Sequence, residues 1–540
     1  MSPRPRFVRR FPRRRGAFRP IVAVALAATV AVGPAAPGGA APVEVDVVTS
    51  TADGSVRVEA ATLSVEPVDT GVPTVDVHLD QPRQRRHGVG ASLTDASAHL
   101  IAGLPAAERT ALIESLFAPD QGGQSVLRIV IGASDFSRVH ASLADSPTPD
   151  PDLATFSIAH DRTEIIPVLR EILAVNPDVE IVASPWSAPA WMKDTDNYLL
   201  GTLLEQYEDV FARYLVRFVE AYAAEGVDVD WLTLQNEPAA VQITYPSMLM
   251  SAEQQARIIR DDLGPALAAS GLPTRVLTWD HNWCDAVPPG GCASDAPASF
   301  PFDVLEALGE SYPLAGTALH CYGGDHVATN EAIHAAAPDL QIWHTECSGG
   351  DWNGTREAAF GSLVRFSLNE LNHWSNASIF WNLALDPDHG PHLGGCDTCR
   401  GVVTIDPVTG TWVNEVEFDV LAITSRFGPQ GSGVLATTNT ASSLVSAGVC
   451  SPDRRPAAIL FNDAAEREVT VRFGSVEVPV TLAASSYTAV RAPEGVTCEL
   501  AAWAELPPAP ERPVDPTPEP PALPPTPPAT PIRTDADFTG

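Results

Sequence analysis

Trp231-Leu-Thr-Leu-Gln-Asn-Glu237-Pro238 is an apolar run that stops at a carboxylate, and Leu340-Gln-Ile-Trp-His-Thr-Glu346 repeats the pattern. Such a run is how a barrel strand reads when its C-terminal tip points a catalytic group into a pocket. Outward from these two, short apolar runs recur at residues 88–93, 126–131, 179–183, 231–234, 275–279, 317–320, 341–344 and 379–381. Amphipathic stretches separate them. In the clearest, residues 207, 210, 211, 214, 215, 218, 219 and 222 are apolar, which is helical spacing. Eight strands alternating with helices predict a closed (β/α)8 TIM barrel over residues 87–427. An open doubly wound sheet is the alternative. It would bring a glycine-rich phosphate turn, and none occurs in the right strand–helix context.

The chain ends read differently. Residues 42–86 are rich in Val and Thr with alternating polarity, and residues 428–505 break into short β-like runs at 433–437, 457–461, 468–473, 476–482 and 486–490. A lone hairpin is marginal, so both ends are expected to build one side β-sandwich. Residues 506–540 are proline-dense and predict an extended tail. Residues 1–41 carry a basic region from Arg4 to Arg19, an apolar core from Ile21 to Val32, and Gly39-Ala40-Ala41 as a small-residue cleavage site. This is the pattern of a secretion signal. The apolar core is too short to cross a bilayer, and no later segment is long enough, so no stable membrane insertion is expected.

The formal charge is −33, and removing the eight arginines of residues 1–41 takes it to −41. So acidic a protein has no electrostatic case for binding nucleic acid or an anionic membrane. Eight cysteines in an exported chain predict disulfides. Proximity favours Cys284 with Cys292 and Cys396 with Cys399, the latter as a loop staple rather than a zinc or redox motif. Cys450 with Cys498 would close the C-terminal β module. Cys321 and Cys347 stay open, bonded or buried as free thiols.

Two carboxylates on different strands are the minimum equipment for cleaving a glycosidic bond, one protonating the leaving oxygen and the other attacking or activating water. Glu237 ends the fourth strand and Glu346 the seventh, which places them across the mouth of the barrel. The acid must hold a proton and the nucleophile must stay ionised, so their surroundings must differ. Arg128, on the inner register of the second strand, and Tyr322, just past the sixth, are suited to keep Glu346 an anion. Asn236 is placed to hydrogen-bond a sugar hydroxyl. The chemistry needs no cofactor and no metal.

In order along the chain stand Gly88-Val-Gly-Ala-Ser-Leu-Thr94-Asp95-Ala-Ser-Ala98, Leu127-Arg128-Ile129 with Asp135-Phe136-Ser137, Ala183-Ser-Pro185-Trp186-Ser-Ala-Pro189-Ala-Trp191-Met-Lys193, Gln235-Asn236-Glu237-Pro238, His320-Cys-Tyr322, Thr345-Glu346-Cys347 and Trp381-Asn382-Leu-Ala-Leu385. This ordered set resembles glycoside hydrolase family 30, the glucosylceramidase-type enzymes. The resemblance implies a retaining mechanism, with Glu237 as acid/base and Glu346 as nucleophile. It implies that Asp135, Trp186 and Trp381 grip the non-reducing sugar and that Asn236 binds its 2-hydroxyl. Arg128, His320 and Tyr322 would surround the nucleophile, with Tyr245 at the mouth. Of Trp186 and Trp191, Trp186 is the one expected to stack on sugar.

One segment departs from the family. The residues after Leu385, Asp386 to Gly401, carry Cys396-Asp-Thr-Cys399, a loop the lipid-cleaving members lack. It follows the eighth strand and should border the mouth on the leaving-group side. The resulting expectation is a secreted retaining β-glycosidase of glucosylceramidase-like type. An endo-β-1,6-glucanase or other β-glucanase is the alternative within the same chemistry, and a non-catalytic carbohydrate-binding protein the alternative outside it.

Overall fold

A computed structural model describes residues 41–72, 74–282, 299–309 and 314–502. The signal segment, the proline-dense tail and the Cys284–Cys292 pairing lie outside these residues.

Eight parallel strands close into a barrel in chain order: Gly88–Leu93, Val126–Ile131, Glu180–Pro185, Trp231–Thr233, Arg275–Asn282, Gly316–His320, Gln341–Glu346 and Ser375–Phe380, the last pairing back to the first. The strands are nearly all buried because helices cover the outside and side chains fill the inside, which is why they read as continuous apolar runs. The predicted amphipathic stretch is the helix Glu208–Ala224, and Phe211, Leu215, Phe218 and Tyr222 are among the residues that form its buried stripe.

Inside the barrel the layers alternate. Val126, Val182, Trp231, Leu277, Ala318, Trp343 and Ala377 form a dry floor. Two residues further along several of these strands stand Arg128, Ser184, Thr233, His320 and Thr345, all buried, as a polar layer above it. Period-two alternation puts this second layer inward. The fifth strand breaks the rule. Trp279 and Asp280 both have positive φ, 73° and 68°, and the pairing with the sixth strand shifts between Trp279 and His281. The kink sends Trp279 outward, with its ring centroid 4.3 Å from that of Phe300, and aligns Asp280 with the polar layer. Left-handed backbone at a tryptophan and an aspartate is strained and is held here by the packing around it.

Both chain ends build one nine-stranded sheet, ordered Glu59–Val65, Val43–Thr51, Ser486–Arg491, Pro456–Asn462, Leu444–Cys450, Gly433–Asn439, Val75–Arg85, Arg467–Phe473 and Val476–Leu482. Pro456–Asn462 touches Val75–Arg85 three places away, so the sheet folds over on a core that includes Val45, Val77, Leu460, Val471 and Val490. Leu444–Cys450 is absent from the predicted strands. Its Ser446, Ala447 and Gly448 dilute the β-branched pattern.

Three disulfides are present among the described residues: Cys396–Cys399, which proximity favours, Cys450–Cys498, which closes the C-terminal β module as expected, and Cys321–Cys347, which the sequence left open. No helix among the described residues is long and apolar enough to cross a membrane.

Candidate active site

The strand tips open into a cavity of about 590 Å³. Asp135, Glu237, Tyr245, Tyr322, Glu346 and Trp381 line it, and so do Trp352, His281 and the loop residues Gly395, Cys396 and Cys399. Arg128, Asn236 and His320 sit beneath, in the buried polar layer. Trp186 does not reach the wall. It is 2% exposed and stacks behind Trp381, with ring centroids 5.1 Å apart. The ring that faces the cavity is therefore Trp381, and Trp186 backs it. Trp191 is packing, its indole N–H bonded to the Ala144 carbonyl.

Arg128 organises the floor. Its guanidinium donates to Glu346 Oε2 (2.5 Å), to Asn236 Oδ1 (2.7 Å) and to Asp280 Oδ2 (2.9 Å), and lies 4.7 Å from the Trp186 ring. Tyr322 donates its hydroxyl proton to the other Glu346 oxygen at 2.9 Å, so both oxygens of this carboxylate are held. The Cys321–Cys347 bond ties the residue after His320 to the residue after Glu346 and thus joins the tips of the sixth and seventh strands. A shift in pairing between His344 and Glu346 aims Glu346 at the cavity.

Glu237 lies opposite. Its φ is 47°, and its backbone N–H donates to the Asp280 carbonyl at 2.9 Å. Its Oε1 is 3.1 Å from His320 Nδ1 and 3.6 Å from His281 Nδ1. The other nitrogen of His320 is 3.9 Å from Glu346 Oε2. The two carboxylates thus flank a single imidazole ring. Burial raises the Glu237 carboxyl, but the hydrogen bonds and charges of His281 and His320 outweigh it and hold it below the usual carboxylate range. Burial lowers the His320 imidazole, but Glu346, Asp280 and Glu237 lift it to about 9. The two shifts favour the imidazole over the carboxyl as the holder of the proton in this pair. Asp135 behaves oppositely: burial, then the negative charges of Glu346 and Glu237, push its carboxyl well above the ordinary range.

Asp280 is the residue the sequence reading missed. It is fully buried and accepts from Arg128, Ser184 (2.7 Å), Thr233 (2.7 Å) and Thr345 (2.6 Å), and meets His320 Nε2 at 3.2 Å. Burial would raise it, but Arg128 and His320 hold it strongly ionised. Removing it takes a buried carboxylate partner from both Arg128 and His320, a loss of about 3–5 kcal/mol.

The paired-cysteine loop closes one side of the cavity. Gly394 and Gly395 have φ of 88° and 73°, and a Cβ on either would meet the Thr244 carbonyl at 2.2 Å or the Asp135 side chain at 2.4 Å. Only glycine allows the loop to seat so closely.

The glycosyl hydrolase family 30 TIM-barrel model matches residues 86–427. An endo-1,6-β-D-glucanase of Neurospora crassa is 30% identical over 421 residues, covering 74% of this chain and 83% of the relative. The lysosomal acid glucosylceramidase of Mus musculus is 27% identical over 430 residues, covering 74% of this chain and 77% of the relative. The solved structure of the endo-β1,6-glucanase BT3312 matches with a TM-score of 0.76 and 29% identity, over 84% of this chain and 99% of that one. The chain belongs to glycosyl hydrolase family 30.

Proposed function

We propose that the protein is a secreted retaining β-glycosidase of the endo-β-1,6-glucanase type. The observation that carries the substrate class is the match to the Neurospora crassa enzyme and to BT3312, both endo-1,6-glucanases, over most of their lengths. The murine glucosylceramidase is the less similar relative, so the glucan reading replaces the glucosylceramidase-like one that the sequence alone favoured. The paired-cysteine loop, which lines the cavity, agrees with a leaving-group side unlike that of a lipid-cleaving enzyme.

The chemistry follows from the charges. Glu346, anchored by Arg128 and Tyr322, attacks the anomeric carbon of a sugar held against Trp381. The bond to the leaving oxygen breaks as that oxygen takes a proton from Glu237, which takes one from His320 across their hydrogen bond. Glu346 becomes an ester and loses its charge. The largest carboxylate contribution holding a proton on His320 then vanishes, so the His320–Glu237 pair is left proton-free and ready to act as a base. Water next attacks the anomeric carbon and breaks its bond to Glu346, while Glu237 takes the water's proton and passes it to His320. Glu346 returns as a carboxylate and the cycle closes. Asn236 Oδ1 accepts from Arg128, which leaves the Asn236 amide NH2 to donate to the 2-hydroxyl.

The test is product analysis on β-1,6-glucan, β-1,3-glucan and glucosylceramide. Early release of mixed-length 1,6-linked oligosaccharides from the first substrate is expected. Faster glucose release from glucosylceramide would restore the lipid reading, and no product from any substrate would leave a carbohydrate-binding protein.

A further inference from the structure

His281 has no assigned task and an unusual setting. It is 1% exposed, its Nε2 makes no hydrogen bond with any described group, and its Nδ1 has only a long 3.6 Å contact to Glu237 Oε1. A buried imidazole with one nitrogen unpaired and the other so loosely paired is costly unless something occupies them. Its Nδ1 points at Glu237 Oε1, which also meets His320 Nδ1. One ligand atom from each of the three residues lies within 4.8 Å of the others. We propose that Glu237, His281 and His320 form a binding site for one divalent transition-metal ion of the zinc and copper class, entered from the cavity, and that occupancy blocks turnover.

The geometry suits such an ion. Ligands about 2.1 Å from a tetrahedral zinc stand about 3.4 Å apart, and two of the three separations here are 3.1 and 3.6 Å. Glu237 and His281 both face the cavity, so the fourth position opens to solvent or to an incoming hydroxyl. His320 is oriented as metal-binding histidines are: its second nitrogen meets a carboxylate, Asp280, which is fixed by Arg128, Ser184, Thr233 and Thr345. Among the described residues, the carboxylates of Glu237, Asp280 and Glu346 gather around one guanidinium, that of Arg128. That surplus of negative charge attracts a cation. Two nitrogens and one oxygen select zinc or copper over magnesium or calcium, which prefer oxygen alone.

The site stands independently of the catalytic assignment. Only the blockade rests on Glu237 being the acid/base, and the experiment separates the two. Zinc binding is measured by calorimetry on the wild type and on Glu346→Gln, which keeps all three ligands. One ion per chain is expected in both, with binding weakened about tenfold or more by His281→Ala and unchanged by His334→Gln on the outer helix His326–Ala336. On the wild type, zinc should abolish turnover in proportion to occupancy, reversed by EDTA, while magnesium has no effect. Failure of zinc to bind stoichiometrically, or equal binding by His281→Ala, would overturn the site. Stoichiometric, His281-dependent binding without inhibition would uphold the site and count against Glu237 as the acid.

Discussion

Glu346→Gln is expected to lower kcat by about 10⁴-fold or more with little change in substrate affinity. The amide matches the carboxylate in size, so the cavity wall and the tie to Tyr322 persist, and Asp280 still pairs with Arg128. What is lost is the electron pair that forms the bond to the anomeric carbon. Steady-state kinetics on a soluble 1,6-linked glucooligosaccharide, with binding measured separately by calorimetry, read the two effects apart. A variant that keeps more than a tenth of wild-type turnover would remove Glu346 from the role of nucleophile.

Glu237→Ala should produce a loss that depends on the leaving group. For a sugar or alkyl leaving group, which needs its oxygen protonated as the bond breaks, about 10²–10⁴-fold is expected. For an activated aryl glucoside, whose phenolate leaves without help, the first step should be far less affected. Equal slowing for both would contradict the assignment. The same variant bears on the pH profile. In the wild type the proton for the leaving oxygen belongs to the His320–Glu237 pair and is lost as the pH rises through about 9, where His320 gives it up. The rate kcat/KM should therefore fall across that range, and the fall should disappear in Glu237→Ala.

The barrel was legible because parallel strands buried on both faces leave continuous apolar runs, and seven of the eight tips fall where those runs end or within two residues. Glu237 was legible for the same reason, since alternation from Trp231 through Thr233 carries it to the mouth. Asp280 was not. Alternation from Leu277 assigns the inward place to Trp279, and nothing in Leu277-Thr-Trp-Asp-His281 announces two successive residues in left-handed backbone. Trp186 was misplaced because a tryptophan on the inner register reads the same whether it faces the cavity or supports another ring. Trp352 stands at the mouth, 54% exposed, in a segment with no periodic pattern to mark it. The Cys321–Cys347 pairing was recoverable in principle. Strands six and seven are neighbours in the barrel, so the residues just past their tips are brought together once the fold is accepted.

The most direct measurement is to trap the intermediate. A 1,6-linked glucobiosyl fluoride carrying fluorine at the 2-position of the reacting sugar should form the ester but hydrolyse it slowly, because the oxocarbenium-like transition state is destabilised. Peptide mass spectrometry of the inactivated enzyme is expected to find the glycosyl group on the Glu346 side chain. A label on any other residue, or continued turnover of glucan with no label formed, would contradict the shared site of Glu237 and Glu346.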